Sequence, residues 1–317
     1  SATGDNAIAI GDSTTAAGAD GVAIGLQAFA RAQSALGLFG DAQSTESIAI
    51  GKGSAVSADG AVQVGRNGYA TATDAVSLGR SRASGVDSFA AVIDNNSATY
   101  GAQGNNSIAI GQLAKAVGTS SAIGSGSQTT TNYAFAFGYY CTVEGNYAFA
   151  AGSNNLASKQ GAVSLGERSV ADVRGKFAFA SGRFAANGDA QGGMYILRAD
   201  TTDATPTVLT TNNSAAGNDD QIIASTDTCI TFDGTIVAMQ NGAQAFASFK
   251  IEGLLVNDGG TTTLANSATT VIDNQSSWGL ALSADNTNNA LAITVTGEAA
   301  HNIRWVANIR TSEVTYA

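Results

Sequence analysis

The sequence predicts an all-β protein: a parallel β-roll solenoid of about 14 residues per coil over residues 1–190, then a β-sandwich or jelly roll over residues 191–317. A repeated phrase is the first ground. Apolar, small, apolar, Gly recurs, ending at Gly11, Gly25, Gly51, Gly65, Gly79, Gly111, Gly138, Gly152 and Gly166, with looser copies at Leu36–Gly40, Phe89–Ile93, Ala122–Gly124 and Phe179–Gly182. The second ground is spacing, because the apolar residues of each phrase stand two apart, the period of a strand with two unlike faces. The third is composition. Gly numbers 38 of 317, Pro206 is the one proline, and Ala, Ser and Thr stand where helix-forming Leu, Glu and Lys would otherwise dominate.

Fourteen residues are too few for a helix pair, so each coil reads as strand, corner, short second strand, corner. Ile8 with Ile10, Val62 with Val64, and Phe135 with Phe137 are expected to fill the coil interior. The residue between them (Ala9, Ala23, Ala49, Gln63, Ser77, Ala109, Ala136 or Ser164) is then expected to face outward. An outward position held to small residues predicts contact with another surface, since a solvated face accepts Lys, Glu or Thr freely. Lateral association of solenoids follows. The Gly closing each phrase suits a corner needing positive φ, and Asn6, Asp20, Asp59, Asp74, Asn106, Asn146 and Gln160 suit the opposite corner.

The repeat stops near Gly188–Gly193, which sets the expected boundary at 190. Beyond it, strands are predicted at Met194–Ala199, Thr207–Thr211, Gln221–Ala224, Cys229–Phe232, Thr235–Met239, Ala245–Val256, Thr261–Ile272, Trp278–Ser283, Ala290–Thr296 and Ile303–Thr315. Alternation in Phe249, Ile251, Gly253, Leu255 and in Leu291, Ile293, Val295 gives one buried and one polar face. About ten short strands separated by Gly, Asn and Asp turns suggest a sandwich.

Residues 1–190 carry 13 acidic against 11 basic residues, and residues 191–317 carry 12 against 4. An acidic second domain argues against nucleic acid and anionic membrane surfaces as partners, since both select clustered basic residues. Cys141 and Cys229 fall in different domains, so a disulfide between them is not expected. No apolar run approaches the roughly 18 residues of a spanning helix, and no secretory signal opens the chain, so membrane insertion is not expected.

Chemistry has few candidates. His301 is the one histidine, which excludes a multi-histidine metal site and makes a Ser-His-Asp triad possible only around it. It reads as a turn residue. Turn carboxylates such as Asp220, Asp227, Asp233 and Asp285 are available for glycoside cleavage, but such residues are ordinary in β-domains. The period of fourteen does not fit nonapeptide calcium rolls, and the threonines do not recur in the register of an ice-binding ladder. No catalytic residue, metal or cofactor is expected, and the chain is expected not to be an enzyme. A depolymerising tailspike is the enzymatic alternative.

The phrases SIAIG and AVSLG, each followed by an Ala-rich half-turn such as Gly51–Ala58, resemble the head repeats of trimeric autotransporter adhesins, the YadA-like left-handed parallel β-roll. The resemblance covers residues 1–185 and implies a homotrimer of rolls packed side by side. After the repeats the chain departs from that family: neck motif, heptad stalk and membrane anchor are not found. A β-roll capped by a compact β-domain is instead similar to a phage tail fibre, with the Arg304–Val314 ending in the style of fibre tips.

The expected function is therefore attachment to a host-cell surface glycan or protein receptor, on a virion tail fibre or on a bacterial surface. Contact is expected at the far end of the second domain, through turns Asn212–Asp220, Asn257–Thr261, Gln275–Trp278 and Ala284–Asn289, with Asn218, Asp219, Asp258, Asn286 and Asn288 as hydrogen-bonding groups. Trp278 is the candidate sugar-stacking aromatic, with a place in the core as its alternative, whereas Trp305 reads as core. Tyr133, Tyr139, Tyr140 and Tyr147 are weaker aromatic candidates on the solenoid.

Overall fold

The computed structural model describes residues 1–91, 98–242, 245–274 and 278–316, and no helix occurs among them. Residues 92–93 of the expected Phe89–Ile93 copy, and residues 275–277 of an expected turn, lie outside the described residues. The chain divides into two compact units, Ser1–Tyr147 and Ala148–Ala317.

In the first unit each coil is a three-residue strand, a corner, a two-residue strand and a corner. Ile8–Ile10 pairs in parallel with Val22–Ile24, which pairs with Leu36–Leu38, and the ladder continues through Ile48–Ile50, Val62–Val64, Val76–Leu78, Phe89–Ala91, Ile108–Ile110 and Ser121–Ile123 to Phe135–Tyr139. The two-residue strands, from Thr15–Ala16 to Thr142–Val143, form a second parallel sheet. Corners absorb the changes of period, so Leu36 still pairs with Ile48, and Phe89 with Ile108.

The corners are made as the sequence leads one to expect. Gly11, Gly25, Gly51 and Gly111 have φ of 128°, 111°, 116° and 119°, and a Cβ on Gly51 would collide with the backbone carbonyl of Gly65 in the next coil. At the opposite corner Asn6, Asp20, Asp74 and Asn106 are left-handed, with φ of 54–57°. After Asp59 and Asn146 the left-handed residue is the next one, Gly60 or Tyr147.

The facing of the strands is the reverse of the expectation. Ala23, Ala49, Gln63, Ser77, Ala109 and Ala136 are fully buried inside the coil, whereas Ile8 and Ile10 are 48% and 57% exposed and Phe137 51%. The reason is thickness. The two sheets of a coil lie so close that Ala side chains from both walls, such as Ala16, Ala30, Ala42 and Ala70 against Ala23 and Ala49, complete the interior and leave no volume for Ile. Gln63 is accommodated because Gly68 stands beside it: a Cβ on Gly68 would overlap the Gln63 amide, which donates to the Gly79 carbonyl at 3.0 Å.

In the second unit the coils continue with Phe149–Ser153, Val163–Glu167 and Phe177–Ser181 in parallel. Phe177–Phe179 then pairs antiparallel with Gly192–Met194. Ala190–Thr201 opens a five-stranded antiparallel sheet whose neighbours run Ala190–Thr201, Ile303–Thr315, Thr228–Gln240, Phe246–Asp258 and Thr261–Asn274. A second antiparallel sheet is built on Ala290–Thr296, with Gly279–Asp285 along one edge and the short strands Thr207–Val208 and Ile222–Ile223 along the other. Both sheets contribute to one buried cluster that includes Tyr195, Leu197, Ile236, Ile251, Leu291, Ile293 and Trp305. The two strands expected at Cys229–Phe232 and Thr235–Met239 are one strand, Thr228–Gln240. Asp233-Gly234 is not a turn there; Gly234 lets the strand approach Asn308, whose carbonyl a side chain would strike.

Repeats end near residue 190, but the units divide at Tyr147. The last coils are tied to the terminal sheets by Lys176 to Glu313 and by the Arg174 amide to the Asp219 carbonyl.

Candidate binding site

The turns bearing Asp258 and Asn286 stand at the end of the terminal domain nearer the last coil, not at its far end, and Asn212–Asp220 runs from Asp200, which Asn213 Nδ2 meets at 2.8 Å, to the last coil at Asp219. Asp219 accepts from the Arg174 amide at 2.8 Å and lies 3.9 Å from Lys159 Nζ, while Asn218 beside it is exposed. Thr228, which opens its strand beside the turn bearing Asp258, pairs with both Asn257 and Thr315. Asn286 Oδ1 accepts from the Thr262 amide at 2.7 Å, so the Asp258 and Asn286 turns meet; Asn288 is turned inward onto Asp285 Oδ2 at 2.7 Å. Strand direction explains the displacement. Ala190–Thr201 runs away from the coil, so connections that follow a returning strand come back to it.

Trp278 is corrected as a sugar-stacking candidate. Its side chain is 3% exposed, and its ring packs on Trp305 with centroids 5.6 Å apart. The Asn274 amide brackets its backbone at 2.8 and 3.0 Å. Trp305 is buried as expected, donating to Thr201 Oγ1 at 3.0 Å.

The far end presents a different surface. A cleft of about 510 Å³ opens there between Asp200–Thr202, Met239–Gly242 and Asn302–Arg304. Met239 supplies exposed apolar surface, and Arg304 Nε lies 3.2 Å from Asp200 Oδ1. An ion pair this exposed contributes little stability, so Arg304 can exchange it for a polar ligand, while Asp200 is held by Asn213 Nδ2 at 2.8 Å. His301 adjoins the cleft in sequence, with Nδ1 3.0 Å from Glu298 Oε2.

A cluster that sequence reasoning missed lies at the last coil. Lys176 occupies the inward position where the preceding coils carry Ala148 and Ala162, and it is buried. Its Nζ lies 2.8 Å from Glu313 Oε2 and 3.2 Å from Asp172 Oδ1. Glu313 also accepts from Gln191 Nε2 at 2.8 Å, Tyr195 OH at 3.1 Å and Thr311 Oγ1 at 2.7 Å. Burial opposes the charge on Glu313, but Lys176 and these donors overcome it and hold the carboxyl below its ordinary range. Burial likewise opposes the charge on Lys176, and the surrounding Tyr195, Glu313 and Asp172 hold it above the ordinary lysine value. A cavity of about 150 Å³ borders the cluster. The signal in the sequence was a Lys in a register otherwise kept for Ala, Ser or Gly. Among the described residues, no group of three or more His, Cys, Asp or Glu is placed to hold a metal ion.

One further surface is large. Ile8, Ile10, Val64, Leu78, Ile108 and Ile110 are exposed on the three-residue strands of the first unit, and Phe135 and Phe137 on the five-residue strand Phe135–Tyr139 in the same ladder. The opposite sheet shows solvent a mixture that includes Thr15, Asp41, Arg82, Lys115 and Gln128.

The model of the YadA head domain repeat matches residues 2–28, 42–67, 102–121 and 119–140. The solenoid carries YadA head domain repeats. No curated protein matches the chain. Solved structures similar to it include the tailspike of Acinetobacter baumannii phage AM24, 8% identical with a TM-score of 0.23, and tailspike gp49 of A. baumannii bacteriophage Fri1, 8% identical with a TM-score of 0.25. Each alignment covers 93% of this chain and 63% of the tailspike. The tailspike of Acinetobacter phage vB_ApiP_P1 is 9% identical with a TM-score of 0.26, over 95% of this chain and 67% of that one. Likeness at these scores transfers neither site nor mechanism. The expectation of a non-enzymatic chain is nevertheless corrected, because the Fri1 tailspike is described as a capsular polysaccharide depolymerase.

Proposed function

We propose that the chain is the surface-attachment part of a homotrimeric fibre or adhesin, carried on a phage tail or a bacterial surface. Three YadA-type rolls pack through their apolar strand faces, and the assembly binds a cell-surface receptor, a glycan or a protein. The observation that carries this reading is the one-sided ladder of exposed Ile, Val, Leu and Phe. Water-exposed apolar surface along a row of strands is unfavourable at roughly 25 cal/mol per Å², and a row rather than scattered residues marks an interface. Parallel coils in register repeat the same pattern at every step, so a second and third copy cover it without a change of register.

Light scattering of the intact protein is expected to return three times the chain mass, and a monomer would overturn the trimer. For attachment, the protein is incubated with receptor-bearing cells and with purified surface polysaccharide. Retention is expected; release of oligosaccharide in the same incubation would reveal cleavage in addition to binding. Among the terminal-domain surfaces, the cleft at Asp200, Met239 and Arg304 is the contact we infer, because it lies at the far end and holds both apolar and charged groups. Loss of retention on Arg304→Ala, with the trimer intact, is the expected outcome.

A further inference from the structure

In the first unit, three corners carry tyrosine where most other coils carry Asn, Asp, Ser, Gln or Gly, and three carry Phe39, Glu46 or Leu113. Tyr133, Tyr140 and Tyr147 have φ of 55°, 50° and 59°, a region that short polar side chains tolerate and a bulky aromatic resists. The corner itself therefore does not select tyrosine. Tyr133 and Tyr147 occupy the same corner of successive coils, and their rings lie parallel within 1° at a centroid distance of 5.2 Å. They are 60% and 61% exposed. The preceding corner, Gly118–Thr119, offers no ring to cover the outer face of Tyr133.

The surroundings narrow the ligand. No Asp, Glu, Lys or Arg stands between Lys115 and Glu144, a stretch rich in Ser and Thr that holds Tyr133; Glu144, exposed in the same corner as Tyr147, is the charge nearest to the rings in sequence. Asn146 beside the rings is held in place, its Oδ1 accepting from the Asn132 amide at 3.3 Å. Rings on a stiff backbone have only two torsions to freeze on binding, so little entropy opposes contact. An exposed aromatic face offers apolar area with a polar hydroxyl at its edge.

We propose that Tyr133 and Tyr147 form a stacking platform for a neutral glycan, a pyranose laying its C–H face on the outer ring face with its hydroxyls on the phenols and the adjacent amides. The exposed Glu144 carboxylate disfavours sialylated or uronic chains by like-charge repulsion, and the uncharged Tyr133 side offers an anionic ligand no counter-charge. The platform rests on the attachment reading and uses residues of the first unit, whereas the cleft is lined by residues of the second.

The test uses the full chain and immobilised neutral oligosaccharides of glucose, galactose, mannose and N-acetylglucosamine, with sialylated and uronic glycans as a second set. The wild type is expected to bind within the neutral set. The double variant Tyr133→Asn with Tyr147→Asn is expected to lose at least about tenfold in affinity while its melting temperature rises by a few degrees, because Asn relieves the left-handed backbone. Tyr133→Phe with Tyr147→Phe, which keeps the rings, is expected to stay within about threefold. Binding that survives in the Asn variant, binding confined to the anionic set, or no glycan binding by the wild type would overturn the platform. A drop in the melting temperature or loss of the trimer in the Asn variant would overturn it too, by making the rings structural. Arg304→Ala attachment is measured alongside; its loss with an unaffected Asn variant leaves the attachment reading standing and removes only the platform.

Discussion

Ala49 and Ala109 have no accessible surface and face the opposite wall of their own coil. An arginine there cannot be placed without separating the two sheets, so Ala49→Arg or Ala109→Arg is expected to cost more than about 4 kcal/mol and to abolish the folded solenoid. Lys52→Ala, on an exposed corner, should stay within about 0.5 kcal/mol. Thermal melting followed by circular dichroism checks all three. Gln63 and Gly68 give a finer test of the same principle, because a side chain at Gly68 would occupy the space of the Gln63 amide. Gly68→Ala alone is expected to cost about 1–3 kcal/mol through overpacking, and less in a background of Gln63→Ala. Equal cost in both backgrounds would show that the two positions do not share that space.

At the level of elements, the last coil is closed by charge instead of by alanine. Lys176 and Glu313 join the solenoid to the final strand, and removing one partner leaves the other buried without its counter-charge, which costs about 3–5 kcal/mol. The sign of the pH dependence follows from each shift. Glu313 titrates below its ordinary range in the folded chain, so its stabilisation is full above that range and is lost as pH falls through the folded value. Lys176 is shifted upward, so its contribution is full below the ordinary lysine pKa and is lost as pH rises through the folded value. Melting temperature is expected to be flat between these limits and to fall at both. Glu313→Gln should melt lower at neutral pH and lose the acid-side slope; an unchanged acid slope would mean that other carboxylates set it.

For the whole molecule, the proposed trimer rests on the apolar ladder. Ile50→Asp combined with Ile110→Asp puts charge on the outward face of two coils while leaving their Ala interior intact. The expected outcome is a folded monomer by light scattering at concentrations where the wild type is trimeric, with a melting temperature that no longer rises with protein concentration. A trimer that survives this change would place the interface elsewhere. The interface class expected from the sequence is retained in this proposal, but the residues that make it are the large apolar ones and not the small ones.

By itself, the sequence determined the coil: its period, its strand-corner-strand plan, the positive-φ glycines and the place where repeats give way to longer strands. These are local properties, written in spacing and turn chemistry, and the strands of the terminal domain were legible for the same reason. Only the tertiary structure decided which way each strand faces, because a period of two fixes that two faces differ but not which one is inside. That choice was made by the narrow gap between the walls, a distance no single phrase contains. The packing of Trp278 on Trp305, the return of the Asp219, Asp258 and Asn286 turns toward the coil, and the meeting of Lys176 with Glu313 were hidden for the same physical reason. Each depends on residues far apart in the chain, brought together by strand order and not by neighbouring sequence.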